Sequence, residues 1–135
     1  MNLEKKIAII VKEDLMSWQK LNVTAFLAGG IGGSQEVIGE PYWDASDVQY
    51  LPMIDQPIII YAATQAVLKE ILKKGLSKEV EFAVYTEELF NTGNDIANRE
   101  QVRAYKTEAL NIVGLGIYGK KNHVNKLVKG LKLHD

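Results

Sequence analysis

Lys12, Asp14, Trp18, Gln19, Lys20 and Asn22 crowd one short stretch of the chain. A continuously apolar run, Ile7 to Val11, precedes them, and a helical pattern follows. They therefore fall at a strand-to-helix junction. In open α/β sheets, ligands bind outside the carboxyl ends of strands, where helix N-termini also point. At such a place Lys20 can stabilise developing negative charge or, with its pKa depressed, take up a proton. The same residues allow a plainer arrangement, in which Asp14 or Ser17 caps the helix and Lys12 and Lys20 are solvated.

A second group of candidates is aromatic. Tyr42, Trp43 and Tyr50 lie in an irregular stretch, about residues 32–57, which holds all three prolines and the acids Glu36, Glu40, Asp44, Asp47 and Asp55. No Lys or Arg occurs between Lys20 and Lys69. Long irregular segments inside small domains are commonly functional. This one is a candidate lid, with a short hairpin expected around Val37 and Ile38. Its rings offer apolar contact to a small ligand or a protein partner.

Other motifs carry less. Gly114-Leu115-Gly116-Ile117-Tyr118-Gly119 spells GxGxxG. The dinucleotide fingerprint needs a further strand and an acidic residue about 20 positions on, so these glycines read as points of close helix-to-strand approach. Gly29 to Gly33 follow a helical pattern and precede no Gly-Lys-Ser/Thr, which makes them a turn rather than a phosphate cradle. His123 and His134 have no carboxylate pattern between them, and Glu40, Asp44 and Asp47 lack the spacing of a calcium loop. No metal site and no cofactor is expected. Lys120, Lys121, Lys126, Lys129 and Lys132 form a basic face near the C-terminus, which reads as a wet helix face or a one-sided phosphate contact.

The elements that position these residues follow from periodicity. The 135 residues, with 16 Lys+Arg against 17 Asp+Glu and no Cys, describe one domain over 1–135, without disulfides or thiol chemistry. Neither a secretory leader nor a membrane span is expected, and a cytoplasmic location follows. The first helix shows Trp18, Leu21, Ala25 and Ala28 at helical spacing, with Phe26 and Leu27 widening the stripe, and the glycines should stop it. Ile58 to Tyr61 and Glu81 to Tyr85 read as strands. Between them runs a helix capped by Thr64, with Val67, Leu68, Ile71 and Leu72 as its apolar face and Gly75 as its end. Strand, helix and strand form a βαβ unit with parallel strands. A polar stretch, 87–106, turns at Thr92 to Asp95. Leu110 to Ile117 is a fourth strand, and a last helix presents Val124, Leu127, Val128 and Leu131. The fold class is α/β: a single mixed sheet of about four strands flanked by helices.

Two stretches carry a family resemblance. Lys6-Ile7-Ala8-Ile9-Ile10-Val11-Lys12-Glu13-Asp14-Leu15, followed by Lys20-Leu21, resembles the start of type-two peptidyl-tRNA hydrolases. Leu110 to Gly116, then Gly130-Leu131-Lys132-Leu133, resembles their last strand and helix. Asp14-Leu15-Met16-Ser17-Trp18-Gln19-Lys20-Leu21-Asn22-Val23-Thr24-Ala25-Phe26-Leu27 is similar to an uncharacterised family with that fold, domain of unknown function number two thousand. The resemblance implies a peptidyl-tRNA-hydrolase-like sheet domain, often homodimeric. It implies hydrolysis of an ester or amide on a small or RNA-linked substrate, with Lys20 stabilising charge and Asp95 activating water. The alternative on the same fold is a non-catalytic module that binds a small molecule or a protein. On this reading Lys12, Asp14, Trp18, Gln19, Asn22, Tyr42 and Trp43 bind the ligand. Nucleic acid is a further candidate partner; a membrane is not.

Overall fold

A computed structural model describes residues 4–135. Strand β1 (Lys5–Lys12) is the central apolar run, and it alternates faces as a strand must. Ile7, Ile9 and Val11 lie toward one face, and Ala8 and Ile10 toward the other, all fully buried. β4 (Ile58–Ala63) pairs with it in parallel, and β6 (Ile112–Lys120) pairs on its other side, antiparallel. β5 (Val80–Thr86) lies antiparallel against β6. A two-residue edge strand, β7 (Lys132–Leu133), runs antiparallel to β4.

The sheet thus has five strands, in the order β5-β6-β1-β4-β7, rather than about four. The additional strand arises because the last helix, α4 (Lys121–Val128), stops short of Leu131. Gly130 takes φ +84, a conformation that favours glycine, and the chain turns back onto β4 there. The expected βαβ unit is also re-ordered. β4 and β5 run in the same direction, but β1 and β6 lie between them. The adjacent parallel pair is β1 and β4. No short-range pattern encodes which of several apolar strands become neighbours.

Helix α1 (Ser17–Ser34) covers one face of the sheet. Its buried side is Val23, Leu27 and Ile31; of the expected stripe Leu27 is buried and Ala28 packs against the core, whereas Trp18, Leu21, Ala25 and Phe26 are exposed, Leu21 at 72%. The expected stop at Gly29 to Gly33 does not occur. Each interior glycine costs about 1 kcal/mol relative to alanine, but Ile31 is anchored in the core among them, and the helix continues. The N-terminal cap differs as well. Neither Asp14 nor Ser17 caps; the Met16 N–H donates to Gln19 Oε1 at 3.0 Å, which gives Gln19 a structural task.

The glycines of β6 explain how α1 comes so close. A Cβ at Gly114 would collide with Val23 and approach Leu27 within 3.0 Å. A Cβ at Gly116 would lie 3.1 Å from Ile31. The GxGxxG string is therefore strand, and its glycines serve close packing.

The other face carries α2 (Gln65–Gly75) and α4. For α2 the sequence reading holds closely. The Val67 N–H donates to Thr64 Oγ1, Leu68, Ile71 and Leu72 are buried, and Lys74 pairs with Glu70 at 3.2 Å. The polar stretch 87–106 is more ordered than a turn: a short 3-10 segment (Glu87–Asn91) leads into helix α3 (Asp95–Arg103), capped by Asn94 Oδ1, which accepts from Ala97 N. The 32–57 stretch begins as helix and then forms an arm. Ile38 and Ile54 bridge its base, and β2 (Tyr42–Trp43) pairs with β3 (Gln49–Tyr50) at its tip. Among the described residues, no helix is long and apolar enough to cross a membrane.

Candidate functional site

A cleft of about 1050 Å³ opens between α1 and the 87–103 segment, floored by the end of β5. Trp18, Asn22 and Phe26 recur every fourth residue on α1 and so form one wall. Tyr85 reaches it from β5 and Phe90 from the 3-10 segment. The rings make a chain. Trp18 meets Phe90 edge-on with centroids 5.6 Å apart, Phe90 meets Tyr85 at 5.0 Å, and Tyr85 meets Phe26 at 6.1 Å. Such edge and tilted arrangements suit the aromatic quadrupole.

Tyr85 anchors the wall. It is 5% exposed, and its hydroxyl donates to Asn22 Oδ1 at 2.7 Å. Burial raises the Tyr85 pKa, so the phenol stays protonated and keeps donating. With Oδ1 engaged, Asn22 retains two amide N–H donors for another acceptor. The far wall is polar. Thr92 hydrogen-bonds Asn98, and Asp95 is paired with Arg99 one turn along α3. Glu100 and Arg103 complete that rim.

Of the sequence-derived candidates, Trp18, Asn22 and Asp95 border the cleft. Lys12, Asp14, Gln19 and Lys20 do not. Lys12 pairs with Asp14 at 3.3 Å, and the Lys20 ammonium lies 3.9 Å from Asp135. His134, with a side chain 6% exposed, sets its Nε2 3.3 Å from the Lys12 carbonyl oxygen. The C-terminal residues thus lie beside this junction, His134 against the Lys12 carbonyl and Asp135 near Lys20. Tyr42 and Trp43 stand on the arm, 50% and 61% exposed, and border no part of the cleft.

Sequence reasoning missed Phe26, Tyr85, Phe90, Glu100 and Arg103 as cleft residues. The four-residue spacing of Trp18, Asn22 and Phe26 is the local signal for this wall, although Phe26 also fits the apolar stripe of the helix. Nothing local indicated that Phe90 and α3 would fold back over α1.

The fold and cleft define a small α/β domain with one mixed sheet and a concave site between its lone-face helix and the segment after β5. The chain belongs to the family described as "protein of unknown function (DUF2000)", whose model matches residues 5–135. A solved structure, that of the protein of unknown function Atu0240 from Agrobacterium tumefaciens strain C58, is 39% identical. It superposes with a TM-score of 0.93, covering 99% of this chain and 100% of the other. No curated protein matches the chain.

Proposed function

We infer that the protein is a binding module whose cleft takes a small aromatic molecule. One observation carries this reading: four rings from three separate elements, Trp18, Phe26, Tyr85 and Phe90, border a single open cleft. Ligand sites are typically apolar concavities with a few placed polar groups, and Asn22 and the α3 rim supply those. The hydrolytic alternative asks Lys20 and Asp95 to act from one cavity. Asp95 borders the cleft, whereas Lys20 faces Asp135 outside it, so the arrangement favours holding a ligand over cleaving one. The resemblance to type-two peptidyl-tRNA hydrolases concerns the fold and carries no cleavage reaction in this reading.

The test uses Trp18 as reporter. The chain has two tryptophans, and Trp43→Phe leaves only Trp18. Titration with neutral 2-phenylethanol is expected to change its emission saturably, and Phe90→Ala is expected to weaken that response about tenfold, consistent with loss of a ring contact and its buried area. An emission that does not saturate with 2-phenylethanol or with charged compounds bearing the same ring overturns the reading.

A further inference from the structure

We propose that the cleft is built for a free aromatic amino acid, a zwitterion carrying an ammonium and a carboxylate beside its ring. This rests on the aromatic-cleft reading and adds the charge of the ligand. Four ionised side chains border the cleft: Asp95, Arg99, Glu100 and Arg103. Asp95 and Arg99 neutralise each other in an ion pair. Glu100 and Arg103 form no ion pair with any described residue. They stand three residues apart on α3 and therefore share a helix face.

A single anion would find Arg103 but also meet Glu100. A single cation would meet the reverse. A ligand with adjacent opposite charges satisfies both, the ammonium donating to Glu100 and the carboxylate accepting from the Arg103 guanidinium, whose planar fork suits a carboxylate. Its ring then lies against Trp18, Phe26 and Phe90 across the cleft. The Asn22 amide N–H groups, not engaged by the Tyr85 hydroxyl bond to Oδ1, remain as donors on the aromatic wall opposite the charged rim.

Calorimetric titration of the full chain with four molecules sharing one ring separates the possibilities: L-phenylalanine, phenethylamine, 3-phenylpropionate and 2-phenylethanol. L-Phenylalanine is expected to bind about tenfold or more tightly than each of the others, as charged hydrogen bonds would give. Glu100→Gln should abolish the preference over 3-phenylpropionate, and Arg103→Gln the preference over phenethylamine. Equal binding of L-phenylalanine and 2-phenylethanol overturns the zwitterion proposal and leaves the aromatic cleft standing. Tightest binding of either singly charged compound, or a preference that survives both substitutions, also overturns it. No heat with any of the four overturns the aromatic cleft as well.

Discussion

In the cleft, Trp18, Phe26, Tyr85 and Phe90 touch one another in a chain; on the arm, Tyr42, Trp43 and Tyr50 make no ring contact among the described residues. Exposure separates them only in part: Trp18 at 55% and Phe26 at 60% are as open as Trp43 at 61%, while Tyr85 is 5% exposed. What separates them is support. The cleft rings come from a helix, a strand and a 3-10 segment, held together by α1 lying tightly on β6 and β5. The arm is held by local bonds: Asp44 Oδ1 accepts from Ser46 N and Val48 N, and the Tyr50 hydroxyl donates to Asp44 Oδ2. A site whose residues come from distant parts of the chain depends on the global fold. A hairpin tip closed on itself does not.

The strongest way to break the contrast is from behind the cleft. Gly114→Ala places a Cβ against Val23 and Leu27. Overpacking of this kind costs about 1–3 kcal/mol, read as a lower denaturant midpoint. It also pushes α1 off the sheet, so the Trp18 response to 2-phenylethanol should fall with it. Gly33, in the same helix that leads into the arm, has open space around its would-be Cβ. Gly33→Ala should therefore change stability in the opposite direction, gaining about 0.5–1 kcal/mol through helix propensity. A Gly114 variant as stable as the parent would show that α1 does not depend on that close approach.

The same contrast explains what was legible in the sequence. Elements defined by local pattern were readable: β1 from its β-branched run, α2 from Thr64, its apolar face and the Glu70–Lys74 pair. The long-range arrangement was not. Trp18 and Asn22 could be suspected from their place at the first junction, but their partners lie more than sixty positions away, Tyr85 at the end of a strand and Phe90 in a stretch that reads as polar. The buried face of α1 is hidden in the sequence for the same reason. Leu21 and Val23 are both apolar, and the space that lets Val23 point inward lies at Gly114 of β6, distant in the chain. His134 shows no motif, and its burial depends on β7 pairing with β4, which the helical reading of Leu131 concealed.

A smaller effect compares two tyrosines. Tyr85→Phe keeps the ring contacts but removes the hydroxyl that bonds Asn22. The expected loss is about 0.5–1.5 kcal/mol of stability, measured by denaturant unfolding, with 2-phenylethanol affinity changed by no more than about threefold, in keeping with ring contact being retained. Tyr50→Phe removes a comparable bond from the arm, but the bond is exposed, so the unfolding midpoint should not move. Equal losses in the two variants would erase the distinction between a wall that the fold depends on and a tip that it does not.

The smallest effect is confined to the arm and follows from charge. The Tyr50 hydroxyl, then the Val48 and Ser46 N–H groups, hold the Asp44 carboxyl below its ordinary pKa. A group with a lowered folded-state pKa contributes order that is present above the ordinary carboxylate value and lost as pH falls through the lowered one. Acidification from about pH 5 to pH 2 should therefore release the turn, because protonated Asp44 is a poorer acceptor. Amide exchange at Ser46 and Val48, corrected for intrinsic pH dependence, should accelerate in that window. The amides of β1, buried at the sheet centre, report separately on the global fold. Asp44→Asn retains a side-chain oxygen for the two N–H groups but carries no charge, so it should flatten the pH dependence of the Ser46 and Val48 amides. Unchanged protection of those amides down to pH 2 in the parent chain would mean that the tip is held by the β2–β3 pairing instead, and that the arm, like the cleft, draws its order from more than its own turn.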